Sequence, residues 1–258
     1  MPNWIEKTEW DVGVKGLPQI ITGLSLIHLT DIHISEWMTS DRLEDIKATL
    51  DALSFDVMLV TGDLTYHTSE IRDLIAFFKH FVDRVPVLMV MGNHDIWDGG
   101  ENTFKPLFDL GVRLLQNDFY DFSVGDEHFY IAGLGSVYES QDDMHSLLSM
   151  LPEDGPAILM VHVPDVAPEC AATERFFLQL SGHSHGGQVC LPGGYSPVLP
   201  WLGQKYPRGF YQVDDMMLYT CRGLGRSKPY IRINCPAELA LYHLQPSDHP
   251  YFKLHKEE

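Results

Sequence analysis

The chain has 258 residues, 45% of them hydrophobic, enough for a sizeable core and one enzyme-sized domain over 1–258. Acidic residues outnumber basic ones 36 to 18, and the resulting charge of −18 repels a polyphosphate backbone, which argues against a nucleic-acid binder. Bound divalent cations can reverse that sign locally, so a small phosphorylated substrate stays open. No stretch approaches the roughly 18 apolar residues of a membrane span. The opening MPNWIEKTEWDVG lacks the basic and apolar regions of a signal peptide, so a soluble cytoplasmic protein is expected. Cys170, Cys190, Cys221 and Cys235 form no CxxC pair and read as reduced, buried thiols.

In chain order, the apolar run 24–30 (LSLIHLT) ends at Asp31. A helical pattern follows in SDRLEDIKATLDAL, with Leu43, Ile46, Leu50 and Leu53 on one stripe and Asp41 and Glu44 at capping-box spacing. The run 56–62 (DVMLVTG) ends at Asp63, and SEIRDLIAFFKHFVDR repeats the helical stripe with Ile71, Leu74, Ile75, Phe78 and Val82. The run 85–92 (VPVLMVMG) leads to Asn93, 156–161 (PAILMV) to His162, and 176–182 (FFLQLSG) to His183. Short, Val-, Leu- and Ile-rich runs of this kind predict strands buried on both faces, and their alternation with helices predicts partly parallel pairing. FYDFSVGDEHFYIAGL and GFYQVDDMMLYTC alternate around Gly125-Asp126 and Asp214-Asp215 as hairpins, and AELALYHL reads as a further strand. The expectation is a four-layer α/β/β/α sandwich of two mixed sheets with outer helices and no internal linker. The final KLHKEE reads as a frayed tail.

Each predicted strand end carries polar chemistry: Asp31 and His33, Asp63, then Asn93, His94 and Asp95, then His162, then His183 and His185. Singly, such residues cap helices or satisfy hydrogen bonds. In α/β sheets, however, sites form beyond the carboxyl ends of the strands, and that many polar groups gathered in one partly buried place need compensating charge. A pair of divalent cations supplies it, with one carboxylate bridging ions about 3.5–4 Å apart. Within GHSHGG, extended backbone would turn His183 and His185 to one side, while the glycines allow close approach.

The motifs DIH (31–33), GDL (62–64), GNHD (92–95), VHVPD around His162 and GHSH (182–185), in this order, resemble the calcineurin-like metallophosphoesterases. GLP (16–18), GHSHGGQVCLPGG and CRGLGRSKPYIRINCPAELALYHL look like a bacterial branch of phosphodiesterases acting on cell-envelope or lipid-linked phosphoesters. One lineage of that branch hydrolyses UDP-2,3-diacylglucosamine. The resemblance implies that Asp31, His33 and His185 bind one metal, that Asn93, His162 and His183 bind the other, and that Asp63 bridges them. It implies that His94 protonates the leaving alkoxide while Asp95 orients its ring, and that a bridging water, acidified by the metals, attacks phosphorus in line. Mixed imidazole, carboxylate and amide ligation suits Mn, Fe or Zn better than Mg or Ca. Phosphodiesters are the expected substrates. The alternatives are pyrophosphate hydrolysis of a nucleotide-sugar or lipid-linked substrate, a phosphomonoesterase, or a non-catalytic metal-binding scaffold.

Weaker signals surround this set. Arg222 and Arg226 either reach a phosphate as bidentate donors or hold a turn. The segment 194–210, with Tyr195, Trp201, Tyr206 and Phe210, either shapes the substrate site or packs on the domain. His28, His67 and His128 read as bystanders. Ser184 stands where the family usually has Thr, no acidic residue follows GDL, and no hydrophobic anchor precedes the first strand. The oligomeric state carries no signal.

Overall fold

The computed structural model describes residues 2–66 and 71–255, so His67 and the last three residues of the tail lie outside the described residues. Among the described residues, strands β1 (Ile5–Val14), β2 (Ser25–Leu29), β3 (Val57–Val60), β4 (Val87–Met89), β5 (Arg113–Leu114), β12 (Ala237–Pro246) and β13 (Tyr251–Leu254) form one sheet, ordered β13-β1-β12-β2-β3-β4-β5. A second sheet contains β6 (Asp118–Val124), β7 (Glu127–Gly133), β8 (Ala157–Met160), β9 (Leu178–Ser181), β10 (Gly209–Val213) and β11 (Met216–Thr220), ordered β10-β11-β9-β8-β7-β6. Both sheets mix parallel and antiparallel pairs.

The expected layering is borne out. Leu26, Leu59, Leu88 and Tyr242 of the first sheet meet Ile131, Ile158, Leu178 and Tyr219 of the second in a shared inner core. On the outer face of the first sheet, α1 (Ser40–Asp51), α2 (Ile71–Lys79) and α4 (Glu101–Leu110) bury Leu43, Ile46, Leu74, Phe78 and Phe104. On the outer face of the second, α5 (Met144–Met150) and α6 (Ala167–Ala171) bury Leu147, Ala167 and Cys170. All four cysteines are buried free thiols, as expected.

Some local expectations change. The N-cap of α1 is Thr39, and its side chain makes no capping bond; Asp41 instead lies in the first turn, where its charge suits the helix dipole. The predicted C-terminal strand is β12, but it enters the first sheet between β1 and β2 rather than extending the strand-rich half. The tail is not frayed at its start, because β13 pairs antiparallel with β1 and His255 N–H donates to Glu9 C=O at 2.9 Å.

Arg222 holds a turn. Its Nε lies 2.9 Å from Oε2 of Glu238, whose other oxygen accepts from Thr8 Oγ1 at 2.7 Å and Tyr219 OH at 2.6 Å. The loop fixed this way sends Leu224 N–H and Gly225 N–H to the carbonyls of Thr30 and Asp31, bracing the exit of β2. Arg226 donates to Tyr230 C=O and stacks 4.1 Å over Trp37, so neither arginine is aimed at a phosphate. Burial alone would raise the Glu238 carboxyl, but Arg222, Tyr219 and Thr8 hold it below the ordinary value of 4.5. Its contribution to stability is therefore present above that value and lost as pH falls through the depressed folded one. Glu238→Ala should cost about 3 kcal/mol in urea unfolding at neutral pH, because it leaves the largely buried Arg222 guanidinium with only the exposed Glu6 carboxylate as ionic partner. The deficit should shrink as pH falls below the carboxyl's ordinary value, and a loss under about 1 kcal/mol at pH 7 would overturn the bracing role.

Candidate metal centre

The carboxyl ends of β2, β3, β4, β8 and β9 open onto one place, and the residues that follow them meet there. Asp31, His33, Asp63, His183 and His185 all adopt positive φ, between 45° and 68°. This left-handed region is costly for non-glycine residues and concentrates at functional sites. Their conformation departs from the extended geometry expected for the HxH pair. His183 and His185 flank Ser184 in a tight turn, so their rings address different neighbours rather than one spot.

Three overlapping groups of donors result, one of them made of His33, Asp63 and His94. Asp31, His33 and His185 bring ligand atoms within 4.8 Å of one another, and Asp63, His162 and His183 do the same. His33 Nε2 faces His185 Nε2 at 3.0 Å, and His162 Nε2 faces His183 Nδ1 at 3.2 Å. Asp63 links the groups, its Oδ2 lying 3.5 Å from His33 Nε2 and 3.2 Å from His162 Nε2. Asn93, the first residue of α3 (Asn93–Trp97), is buried with no hydrogen-bond partner for its Oδ1. Converging imidazole nitrogens and an orphaned amide oxygen are what cations satisfy, so these residues fit a metal centre.

Backbone carbonyls set the imidazole tautomers. His162 Nδ1 donates to Thr61 C=O at 2.6 Å, leaving Nε2 as the donor to a cation, and His183 Nε2 donates to Trp201 C=O at 2.7 Å, leaving Nδ1. Asp31 accepts from Thr30 Oγ1 at 2.7 Å and His183 N–H at 2.9 Å. Glycine is required where loops cross. A Cβ on Gly182 would collide with the Thr30 hydroxyl and the Asp31 carboxylate, and one on Gly92 would collide with the Asp63 carboxylate.

The role expected for Asp95 needs correction. Its carboxylate accepts from the backbone N–H groups of Asp63 at 2.7 Å, Leu64 at 2.8 Å and Gly92 at 2.9 Å. No hydrogen bond joins it to the His94 ring among the described residues. Asp95 positions the Asp63 loop, while the His94 ring is set by edge contacts with Tyr66 at 4.4 Å and with His33 and Trp97 at 4.9 Å.

Sequence reasoning missed several contributors. Tyr66 stacks on His33 at 4.4 Å, Trp97 and Tyr138 line the cleft, and Arg232 donates to the carbonyls of Arg222, Gly223, Gly225 and His185. The carbonyls of Thr61 and Trp201 could not have been found, because an acceptor on the main chain leaves no mark on residue type. Of the expected bystanders, His28 is a core residue bonded to Thr61 and Tyr242, and His128 pairs with Asp121.

Electrostatics follow from this crowding. Burial pushes the imidazoles of His33 to about 3 and His183 to about 4, and it lowers His185 as well, so all three are neutral donors. Burial would also lower His162, but Asp63 beside it wins and raises it, so the two form an ion pair. Burial and the nearby Asp63 charge raise Asp31 to about 6.

Residues 24–187 match the family described as calcineurin-like phosphoesterase. The chain belongs to that family. It is 29% identical over 255 residues to the uncharacterized metallophosphoesterase YkuE of Bacillus subtilis, covering 96% of this chain and 88% of that one. It is 25% identical over 227 residues to phosphodiesterase YaeI of Escherichia coli, covering 85% and 81% respectively. A dimetal phosphatase from Danio rerio shares the fold, with a TM-score of 0.51 at 12% identity over 87% of this chain and 93% of that one. This calcineurin-like member is accordingly a metal-dependent phosphoester hydrolase, and no described helix is long and apolar enough to cross a membrane.

With His162 and Asp31 as ligands, the expected assignment, metal loading would displace the proton on His162 and compete with protonation of Asp31. Manganese titrated into chelator-stripped protein at pH 7 should release protons, read calorimetrically in buffers of different ionisation enthalpy. Affinity should weaken as pH falls through 6. Loading without proton release at pH 7 would show that His162 and Asp63 do not share a proton.

Proposed function

We propose that the chain hydrolyses phosphodiesters with two metal ions. In this reading Asp31, His33 and His185 hold one ion, Asn93, His162 and His183 hold the other, and Asp63 bridges them. The observation that carries the two-ion arrangement is the position of Asp63 Oδ2 between His33 and His162, each the member of a separate donor group. The donor chemistry favours manganese, iron or zinc. Two such ions, when bound, neutralise phosphoryl oxygens and acidify a shared water.

The chain's own residues supply the rest. His94 is half-buried at the cleft, its backbone N–H donating to Asp63 Oδ1 at 2.9 Å, and in this reading its ring protonates the leaving alkoxide. Burial lowers its pKa although Asp63 opposes the shift. A buried acid of reduced pKa is a stronger proton donor, present in smaller amount at neutral pH.

The cleft itself favours a diester. Its volume is ≈ 530 Å³, and Trp97, Tyr138, Val198, Leu199 and Ile231 line it. Among the described lining residues Lys228 is the only lysine or arginine. With one lysine beside an apolar wall, the lining offers little positive charge of its own for a phosphomonoester dianion and suits the monoanion of a diester with an apolar ester group better. The same wall keeps a second reading in view, pyrophosphate hydrolysis of a nucleotide-sugar or lipid-linked substrate. The name of the Escherichia coli relative agrees with the diester reading. The segment 194–210 serves both expected ends: Val198 and Leu199 shape the cleft, and Tyr206 packs against the second sheet.

Manganese-loaded protein should cleave bis-p-nitrophenyl phosphate in preference to p-nitrophenyl phosphate, and the reverse preference would replace the diester reading with a phosphatase. His94→Ala should keep its metals and lose about 10²–10⁴-fold in kcat on diesters with alkyl leaving groups, far less on p-nitrophenyl esters. Loss of metal in that variant would make His94 a ligand instead of an acid. Asp63→Asn should reduce occupancy of both metal positions together, and metal content equal to wild type would remove the bridge.

A further inference from the structure

A second convergence of donor atoms lies at the opposite end of the first sheet. The strand order β13-β1-β12-β2 sets Lys253, Asp11, His243 and Ser25 in one cross-strand row, because Asp11 pairs with both Lys253 and His243, and His243 pairs with Ser25. Glu9 stands two residues along β1 from Asp11 and therefore on the same face. His255 extends the pairing of β13 and sits beside Glu9. Glu9, His243 and His255 consequently bring ligand atoms within 4.8 Å of one another. Ser25 opens β2 and Asp31 follows its far end, so the cluster is on the order of 20 Å from the catalytic centre at about 3.3 Å per residue.

Hydrogen bonding fixes which atoms face inward. Ser25 Oγ donates its single proton to Gly23 C=O at 2.9 Å, so it accepts at 2.8 Å from His243 Nδ1. His255 Nδ1 donates to Asp11 Oδ1 at 2.8 Å. Both rings then turn Nε2 toward Glu9 Oε1, at 2.8 Å for His243 and 3.9 Å for His255. Lys7 engages the other carboxylate oxygen, Oε2, at 2.6 Å and leaves Oε1 to the two rings. Two imidazoles anchored through Nδ1 to a carboxylate and a hydroxyl, with Nε2 directed at a third acceptor, reproduce the outer bonding of metal-bound histidines.

We infer that Glu9, His243 and His255 form a zinc site separate from the catalytic centre, which fastens the C-terminal segment to β1 and β12. Two imidazole nitrogens and one carboxylate oxygen make three corners of a tetrahedron, the fourth open to water. Ligand atoms about 2.0–2.1 Å from zinc stand roughly 3.3 Å apart, midway between the two separations from Glu9, and all three ligand atoms lie within 4.8 Å of one another. The competing arrangement is an ordinary ion pair, with a proton on His243 Nε2 shared with Glu9.

The two arrangements differ in stoichiometry. Full-length protein saturated with zinc and freed of excess should retain one more equivalent per chain than His243→Gln, with hydrolysis of bis-p-nitrophenyl phosphate by manganese-loaded samples unchanged. Zinc should also slow hydrogen exchange at the backbone amides of 251–255 in wild type but not in the variant. His255→Gln, beyond the last strand, provides the same comparison should His243→Gln fold poorly. Equal zinc retention in wild type and both variants, or zinc-independent exchange at 251–255, would establish the ion pair and overturn the site.

Discussion

Two nearly fully buried carboxylates, Asp31 and Asp63, sit near each other beneath the cleft, and the rest of the centre is arranged around that charge. Burial of an isolated carboxylate costs several kcal/mol even after relaxation. Here the charge is met by Thr30, by the amides of His94 and His183, and by the proton on His162. The three remaining imidazoles are kept neutral by burial and contribute no positive charge of their own. The metal-free chain is therefore undercompensated, and the deficit is what makes the site selective for cations over any neutral ligand.

Holding those groups together requires strain as well as charge. Five site residues occupy left-handed backbone, at about 1–3 kcal/mol each, which only a well-packed surround can sustain. The surround is the inner core between the sheets, which fixes the strand ends, together with three main-chain clamps. Asp95 gathers the amides of Asp63, Leu64 and Gly92, the 222–225 loop ties to Thr30 and Asp31, and Arg232 ties that loop to His185. Ligand placement thus depends on residues that never touch a substrate. Their chemistry is that of clamps: a carboxylate or guanidinium with several main-chain partners.

Legibility in the sequence divides along the same line. The five strand ends were visible because each short apolar run stops abruptly at a ligand-type side chain, and the helices between them showed their buried stripes. β1 was not visible, since IEKTEWDVGV alternates charge with apolar residues at an edge-like composition although it pairs on both sides. The insertion of β12 beside it is a non-local pairing that no local pattern encodes. Asp95 was misread for a related reason: the GNHD motif places it next to His94 in the chain, while the turn at the start of α3 aims it backward at the amide of Gly92.

β2 joins the two ends of the molecule and explains why both carry convergent donors. Its carboxyl end delivers Asp31 into a deep cleft, whereas its first residue, Ser25, lies in a shallower cross-strand row fed by both chain-terminal strands. The physical argument is the same in each place, since ligand atoms that converge need either a shared proton or a cation between them. The environments differ. At the carboxyl end several acceptors are nearly fully buried and strained, with charge that a bound cation can compensate. At the other end the side chains keep between 17% and 31% of their exposure and the backbone is regular, which suits fastening rather than chemistry. A surface charge of −18 works against an anionic substrate at long range. Affinity for such a substrate must therefore arise at short range, from the metal-ligating side of the cleft and from the apolar wall of Trp97, Tyr138, Val198 and Leu199.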